Sequence, residues 1–232
     1  MRATCKVLLV LGVAALLTAP AMAQGQRKGG GRGGMGPGGP AQLMANKSVQ
    51  KEVNLTEEQV KKGQAIFKEV NDKHQSDREA LRDLEGQEQF QKRMELGRTI
   101  NEETYKALAD VLKPEQIKRL KQIQLQRQGT FAFMSPDTQM ELKLTDDQKD
   151  KIKTIGDDAR QEMGAIFQEQ DQAARQKKMA AFQKETMEKI TAVLTDDQKK
   201  TWKEMTGEPF EYKPDPGEGF GGGRRGKKKD GV

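Results

Sequence analysis

The side chains that most often carry out chemistry in proteins are scarce in this chain. His74 is the only histidine and Cys5 the only cysteine, so a Ser-His or Cys-His nucleophile has almost no residues to draw on. Acidic doublets, which could act as general acid and base, occur at 57–58, 146–147, 157–158 and 196–197. Three of these doublets fall in a predicted first turn of a helix, where the helix dipole alone explains them. We therefore predict no enzyme activity and no cofactor.

His74 and Asp77 have a spacing that suits a metal site. Residues at i and i+3 lie on one face of a helix, so both side chains could ligate the same ion. Two protein ligands are too few for a structural zinc site, although glutamates or a second chain could add more. We favour the alternative that both residues are polar members of a helix–helix seam, and we predict no metal.

A five-residue motif occurs four times. The copies are Leu55-Thr56-Glu57-Glu58-Gln59, Leu112-Lys113-Pro114-Glu115-Gln116, Leu144-Thr145-Asp146-Asp147-Gln148 and Leu194-Thr195-Asp196-Asp197-Gln198. The Thr predicts a helix N-cap, because its hydroxyl can accept a hydrogen bond from a free N–H of the first turn. The Gln can bond back to the N-cap N–H and complete a capping box. The second copy has Lys113 instead of Thr and gains Pro114 at the first helical position, where a missing N–H is harmless.

The spacing of the copies predicts an internal duplication. The first two copies are 57 residues apart and the last two 50, and the difference of 7 is one heptad. Each unit then has a short lead-in helix, a long helix, a return helix and a closing helix, with unit one at 41–129 and unit two at 130–214. No segment alternates as a β-strand does. The sequence predicts an all-α fold of two tandem repeats of long antiparallel helices joined by short helices.

Composition and apolar spacing predict thin helix pairs. The chain is 34% hydrophobic and 33% charged, which favours helices that bury one stripe each over a thick core. In unit one the apolar spacing from Val60 to Leu84 predicts one long helix. Phe90 and Met94 are predicted on the apolar side of the return helix, with a break near 97–99. The stripes of unit two are Ile152, Ile155, Ala159, Met163 and Ile166, and then Phe182, Ile190, Val193, Trp202 and Met205.

The two ends of the chain differ from the part between. Residues 1–23 have a basic start, an apolar run too short to span a bilayer, and a small-residue cleavage site, which predict a secretory signal peptide cut near Ala23-Gln24. This pattern does not distinguish a periplasmic protein from a secreted one. Residues 24–40 and 215–232 are Gly-rich and are predicted to be disordered. A GxGxxG match in the first Gly-rich segment lacks the βαβ context of a nucleotide site.

The net charge of +6 comes from these ends, and the part between them is slightly acidic. The basic residues of the tail are Arg224, Arg225, Lys227, Lys228 and Lys229. Their simplest role is to keep the tail solvated; a second role is electrostatic tethering to an anionic polymer or a membrane surface. Export argues against nucleic acid as the partner.

Flexible apolar side chains are the candidates for protein binding. Methionine re-packs against different shapes, which suits promiscuous recognition, although most methionines here are better explained as core. The candidates are Phe131, Phe133, Met134, Met163, Met179 and Phe182. Residues 131–134 form an apolar cluster between the units, which either docks the units together or contributes to a binding surface. We favour docking.

Four motifs of the Leu-Thr-x-x-Gln type behind a signal peptide, in a charged helical chain, resemble the Spy/CpxP family of periplasmic proteins. The resemblance covers roughly residues 41–210, taken as two fused units. It implies a curved helical cradle that binds unfolded or stressed envelope proteins without ATP, and a tendency to self-associate. The expected function is therefore a chaperone-like binding protein. The alternatives are an envelope scaffold tethered by its basic Gly-rich ends and a metal-responsive adaptor that uses His74.

Overall fold

The computed structural model describes residues 39–215, so the predicted signal peptide and most of both Gly-rich segments lie outside the described residues. Within this range the chain forms ten α-helices, two 3₁₀ helices and no β-strand, which confirms the predicted all-α fold of two tandem units. The α-helices are α1 (Pro40–Ala45), α2 (Lys47–Glu52), α3 (Glu57–Lys73), α4 (Gln75–Ala80), α5 (Gly86–Leu108), α6 (Pro114–Gln128), α7 (Pro136–Glu141), α8 (Asp146–Phe167), α9 (Gln172–Val193) and α10 (Asp196–Thr206). The 3₁₀ helices are Leu81–Asp83 and Gly129–Met134.

The four motif copies start α3, α6, α8 and α10, as predicted. At the start of α3 the Thr56 hydroxyl accepts a hydrogen bond from the Gln59 N–H at 3.1 Å, and the Gln59 side-chain oxygen accepts one from the Thr56 N–H at 3.0 Å. Thr145 and Thr195 make the same two bonds at α8 and α10. At α6 only the second bond exists, because the lysine at that N-cap offers no side-chain acceptor.

The lead-in helices of both units end in the same unusual backbone conformation. Asn54 follows α2 with a φ of 52°, and Lys143 follows α7 with a φ of 50°. This left-handed backbone conformation is common just past the end of a helix. Gly or Asn is favoured there, because a Cβ strains a backbone with positive φ. The two units therefore share a backbone turn as well as a motif.

Each unit has its own apolar core. Core one is built from α1, α2, α5, α6 and the turns that join them, and consists of Leu43, Met44, Val49, Val53, Leu108, Leu112, Leu120 and Ile123. Core two is built from the 3₁₀ helix Gly129–Met134, α8, α9 and the motif turns, and consists of Phe133, Leu142, Leu144, Ile152, Ile190 and Leu194. The Phe133 ring is fully buried, and its centroid lies 4.2 Å from that of Trp202.

Gly129 links the two units directly. It ends α6 with a φ of 55°, and the following 3₁₀ helix places Ala132 and Phe133, both fully buried, among residues of unit two. Closing helices α6 and α10 also pack against each other. The preferred interpretation of residues 131–134, that they dock the units together, fits the burial of these two side chains.

The long helices of unit one differ from the prediction in two places. The segment from Val60 to Leu84 is not one helix: α3 ends at Lys73, His74 has a non-helical φ of −98° and ψ of 20°, and α4 and a 3₁₀ helix follow. The predicted break near 97–99 is also wrong, because α5 continues through it. A glycine inside a helix costs only about 1 kcal/mol, which the hydrogen bonds of a long helix tolerate.

The second unit follows its prediction closely. Helices α8 and α9, of 22 residues each, form a hairpin, with Ile152, Ile166, Phe182 and Ile190 buried between and beneath them. Among the described residues, no helix combines the length and the apolar character needed to cross a bilayer.

Candidate functional site

The glutamines of the four motifs form two joints, one in each unit. In unit one Gln59 Nε2 donates to Gln116 Oε1 at 2.9 Å, and Gln116 Nε2 donates back to Gln59 Oε1 at 3.3 Å. Gln116 Nε2 also lies 3.0 Å from the carbonyl oxygen of Asn54, and Gln59 Nε2 lies 3.1 Å from that of Val111. The side chains that complete the helix caps thus also connect the start of α3 to the start of α6.

The joint of unit two has the same geometry. Gln148 Nε2 donates to Gln198 Oε1 at 2.7 Å, and Gln198 Nε2 donates back to Gln148 Oε1 at 2.9 Å. Gln148 Nε2 also donates to the carbonyl oxygen of Val193 at 2.9 Å. The spacing of 57 and 50 residues between copies is therefore the spacing between members of a hydrogen-bonded pair. The caps were predicted from the sequence, but the pairing of the glutamines was not.

The chemistry of the joints is structural. A primary amide is neutral and neither donates a proton nor acts as a nucleophile at ordinary pH. Gln116 and Gln148 are buried. Each is hydrogen-bonded to the partner glutamine of its own joint and to the main chain. Satisfied buried amides fix the relative position of the elements that carry them.

His74 lies at the bend between α3 and α4, buried between two carboxylates. Its Nδ1 is 2.7 Å from Asp77 Oδ2, and its Nε2 is 3.1 Å from Glu103 Oε2 on α5. Lys73 Nζ is 3.0 Å from both carboxylate oxygens of Glu103. The cluster ties the bend to α5, in agreement with the favoured interpretation of His74 as a polar member of the seam.

The carboxylates change the proton affinity of this cluster. The hydrogen bond that the Asp77 carboxylate accepts raises the pKa of His74, burial works against this, and Glu103 adds to the increase. Hydrogen bonds from Lys73 and then His74 lower the pKa of Glu103. Opposite charges favour each other's ionised forms, so protonated His74 stabilises the bend.

The surroundings of His74 bear on its candidacy as a metal ligand. Both ring nitrogens of His74 already face carboxylates, on opposite sides of the ring. Across residues 39–215, no three His, Cys, Asp or Glu side chains are grouped in a way that would hold a metal ion. The candidate pair of His74 and Asp77 is instead a hydrogen-bonded pair.

The predicted protein-binding residues are divided between core and surface. Phe133 and Phe182 are buried, which removes them from any binding surface in this conformation, because a buried ring contacts nothing outside the fold. Met134, Met163 and Met179 are half-buried, and Met134 packs against core two. Only Phe131 is largely exposed. The predicted tether residues of the tail lie outside the described residues.

Five large apolar side chains are exposed among the described residues, and only Phe131 of these was predicted as a binding residue. More than half of the side chain is accessible at Phe90 (57%), Met94 (61%), Phe131 (56%), Met140 (73%) and Phe167 (62%). The prediction that Phe90 and Met94 are core residues of the return helix is wrong. They are one helical turn apart on α5, beyond the bend at His74, where the shortened α3 no longer covers them.

Three of these five side chains, Phe90, Met94 and Phe167, lie toward the outer ends of the two helix pairs. Phe90 lies in the first turns of α5, next to the connection from α4, and Phe167 is the last residue of α8, next to the connection to α9. Both therefore lie far along the chain from the glutamine joints. A helix pair that presents apolar residues at its outer end can contact another protein without disturbing its own core.

Two shallow clefts lie at equivalent positions beside the lead-in helices. The larger, of about 320 Å³, is lined by Pro136, Gln139, Met140, Lys143, Leu144 and Lys149. The smaller, of about 230 Å³, is lined by residues of α2, α3 and the turn between them, including Gln50 and Leu55, the equivalents of Gln139 and Leu144. Their linings mix lysines, amides and a few apolar atoms, without the convergent polar groups of a small-molecule site.

Residues 207–215, here named the clasp, dock on unit one, which was not predicted from the sequence. Gly207 ends α10 with a φ of 64°, and the clasp then runs along unit one, where Phe210 and Tyr212 pack against core one. The Arg127 guanidinium lies 3.4 Å from the centre of the Tyr212 ring. Two aromatic residues in an otherwise polar segment after the last predicted helix were the available signal for this docking.

Comparisons with known proteins do not identify the chain. A scan against models of protein families finds no match, and searches of curated proteins and of solved structures find no significant similarity.

Proposed function

We propose that the chain is an exported binding protein that holds unfolded or partly folded envelope proteins without ATP. The observation that supports this most is the group of exposed apolar side chains, Phe90, Met94 and Phe167, on the outer parts of the two helix pairs. The glutamine joints brace the inner ends of these pairs, so apolar surface is offered on a stable frame. The resemblance of the four motifs to the Spy/CpxP family supports the same function.

The energetics of such binding suit a carrier. Each exposed Phe or Met would contribute about 1.5–3 kcal/mol if it were fully buried against a client. A few such contacts, less the cost of association, give weak and reversible binding. Reversible binding lets a client leave and fold without an energy source. The surrounding charged surface keeps the unoccupied protein soluble.

Aggregation of a chemically denatured test protein is the direct assay. The chain should suppress light scattering at molar ratios near or below one, and a Phe90→Ser/Met94→Ser/Phe167→Ser variant should lose most of this effect. A matched control is Lys68→Ser/Lys92→Ser/Lys184→Ser, which alters exposed residues of the same two helix pairs without removing apolar surface. Equal melting temperatures would show that all three proteins fold. No suppression by the unaltered chain at several-fold excess would exclude the proposal.

Tethering by the basic tail is a second candidate role, favoured by the five basic residues between 224 and 229. Such a cluster binds anionic surfaces with a strength that falls with ionic strength. A chain lacking residues 217–232 should lose salt-sensitive binding to anionic vesicles and keep its suppression of aggregation. Retention of vesicle binding by the truncated chain would exclude the tail as the tether.

A further inference from the structure

The clasp is held to unit one by an unusual set of contacts. It is a non-helical segment that leaves α10 at Gly207 and lies over α6 and the start of α2. It begins in unit two and ends on unit one, at Lys213 and Asp215. The surface of unit one that receives it, here named the clasp site, is formed by side chains of α2 and α6 and by core one.

The first half of the clasp is bound through its main chain by α6. Gln126 Nε2 donates to the carbonyl oxygen of Glu208 at 2.8 Å, and Gln126 Oε1 accepts from the Phe210 N–H at 2.8 Å. Arg119 donates to the same Glu208 carbonyl at 2.9 Å. One amide side chain thus satisfies a carbonyl and an N–H two residues apart, as a neighbouring strand would.

The second half is bound in the same manner near the start of α2. The fully buried Asn46 donates from Nδ2 to the carbonyl oxygen of Lys213 at 2.8 Å, and the Ser48 hydroxyl accepts from the Lys213 N–H at 3.2 Å. Main-chain groups are common to every peptide. Hydrogen bonds of this kind provide affinity for any extended segment, whatever its sequence.

Two aromatic side chains provide the selective part. Phe210 and Tyr212 are two positions apart and both pack against core one, as residues on one side of an extended segment do. Arg127 stacks on the Tyr212 ring, a cation–π contact of about 0.5–2 kcal/mol. The side chains of Glu211 and Lys213, by contrast, are largely exposed. The site therefore selects an aromatic–x–aromatic pattern.

We propose that the clasp site is a peptide-binding site, occupied in cis by residues 208–213, that also takes extended aromatic–x–aromatic segments of other proteins. This inference rests on the proposed function, because it names the class of client segment that unit one recognises. Such segments alternate between buried and exposed positions in folded sheets and are accessible only when a protein is unfolded. The clasp then acts as a built-in competitor.

Competition by the clasp sets the expected size of the effect. A tethered segment is present at an effective concentration of about a millimolar or more, so a free peptide meets a largely occupied site. The apparent affinity of a free peptide is lowered by the fraction of protein in which the site is open. Weakening the clasp should therefore strengthen binding of a peptide in trans.

The test measures fluorescence anisotropy of a labelled synthetic peptide with the sequence of residues 207–215. The full chain with Phe210→Ala/Tyr212→Ala should bind it at least about tenfold more tightly than the unaltered chain does. A peptide with serine in place of both aromatics should not bind. Adding Gln126→Ala to the double variant should weaken binding at least about fivefold, whereas adding Gln161→Ala, at an exposed position of α8, should not.

A second variant guards against loss of folding. Gly207→Val leaves in place every clasp residue that contacts the clasp site, and every residue of the site. A Cβ at φ 64° is strained and would collide with the Gln122 side chain, so the clasp should dock less well. Circular dichroism identifies which variants fold. If the folded variants bind the peptide no better than the unaltered chain, the inference is wrong. Suppression of aggregation by the same unaltered chain would then leave the proposed function standing, and its absence would remove both.

Discussion

Unit one and unit two are built on equivalent joints, but their helix pairs differ. Both have the paired glutamines, the left-handed residue before the motif and a closing helix that ends at a left-handed glycine. Beyond the joints, α8 and α9 run unbroken for 22 residues each, while the outgoing helix of unit one ends after 17 residues at His74. The motif thus determines the inner end of each helix pair and leaves the outer end free to vary.

The units also differ in what completes each core. Core two receives Phe133 from the segment that follows the closing helix of unit one. Core one is covered by Phe210 and Tyr212 from the segment that follows the closing helix of unit two. The first contact is fully buried and the second only half-buried. The difference indicates a permanent connection in one unit and a weaker one in the other.

The largest expected effect comes from breaking the permanent connection. Phe133→Ala should lower the free energy of unfolding by about 3–5 kcal/mol, because it opens a cavity in core two and removes the ring that stacks on Trp202. Phe131→Ala, two residues away but exposed, should change stability by less than about 0.5 kcal/mol. Urea denaturation followed by tryptophan fluorescence measures both. Similar losses for the two variants would contradict the assignment of this segment to core two.

The equivalence of the joints can be tested by the same measurement. Gln59→Ala and Gln148→Ala, which occupy equivalent positions in the two joints, should each lower the free energy of unfolding by about 1–3 kcal/mol, since each leaves a paired amide and a main-chain carbonyl unsatisfied. Gln161→Ala, exposed on α8, is the matched control and should have almost no effect. A cost confined to one unit would show that the two joints are not equivalent.

The left-handed residues give a smaller difference between the units. Lys143→Gly should raise the free energy of unfolding by about 0.5–1 kcal/mol, because glycine removes the strain at φ 50°. Asn54→Gly should raise the free energy of unfolding by a smaller amount, because asparagine already tolerates this conformation. Lys153→Gly, inside α8, should instead lower the free energy of unfolding by about 1 kcal/mol. A loss of stability on Lys143→Gly would contradict the backbone conformation.

The bend of unit one should make stability depend slightly on pH. The pKa of His74 is raised in the folded chain, so its contribution is complete below its ordinary value and is lost as pH rises through the folded pKa. His74→Gln should therefore lower the melting temperature more at about pH 5.5 than at about pH 8. Glu103, whose pKa is lowered, loses its contribution only under more acid conditions. Equal losses at both pH values would exclude a charged His74 in the folded state.

Local signals account for most of the fold that could be predicted. The three threonine caps and Pro114 act within a few residues of themselves, and the structure has helix starts at these positions in α3, α6, α8 and α10. The bend at His74 could not be predicted in the same way, because apolar spacing continued through it. It depends on Glu103, 29 residues away, which no local pattern connects to it.

The candidate surface was harder to predict for a related reason. Phe90 and Phe182 have the same residue type and a similar helical spacing, yet one is exposed and the other buried. Their burial depends on whether a neighbouring helix reaches them, and the early end of α3 withdraws that neighbour from Phe90. The residues that bind the clasp could not be predicted from the sequence either. Gln126 and Asn46 look like ordinary polar residues there, because their contacts form only when the clasp folds back onto unit one.

Gly129 and Gly207 each redirect the chain at the end of a closing helix. After Gly207 the chain leads back from unit two to core one. Open repeat arrays keep an end face to which further repeats can be added. Here that face is already used by the chain itself. A third copy inserted after residue 206 would have to displace the clasp before it could fold against its neighbours.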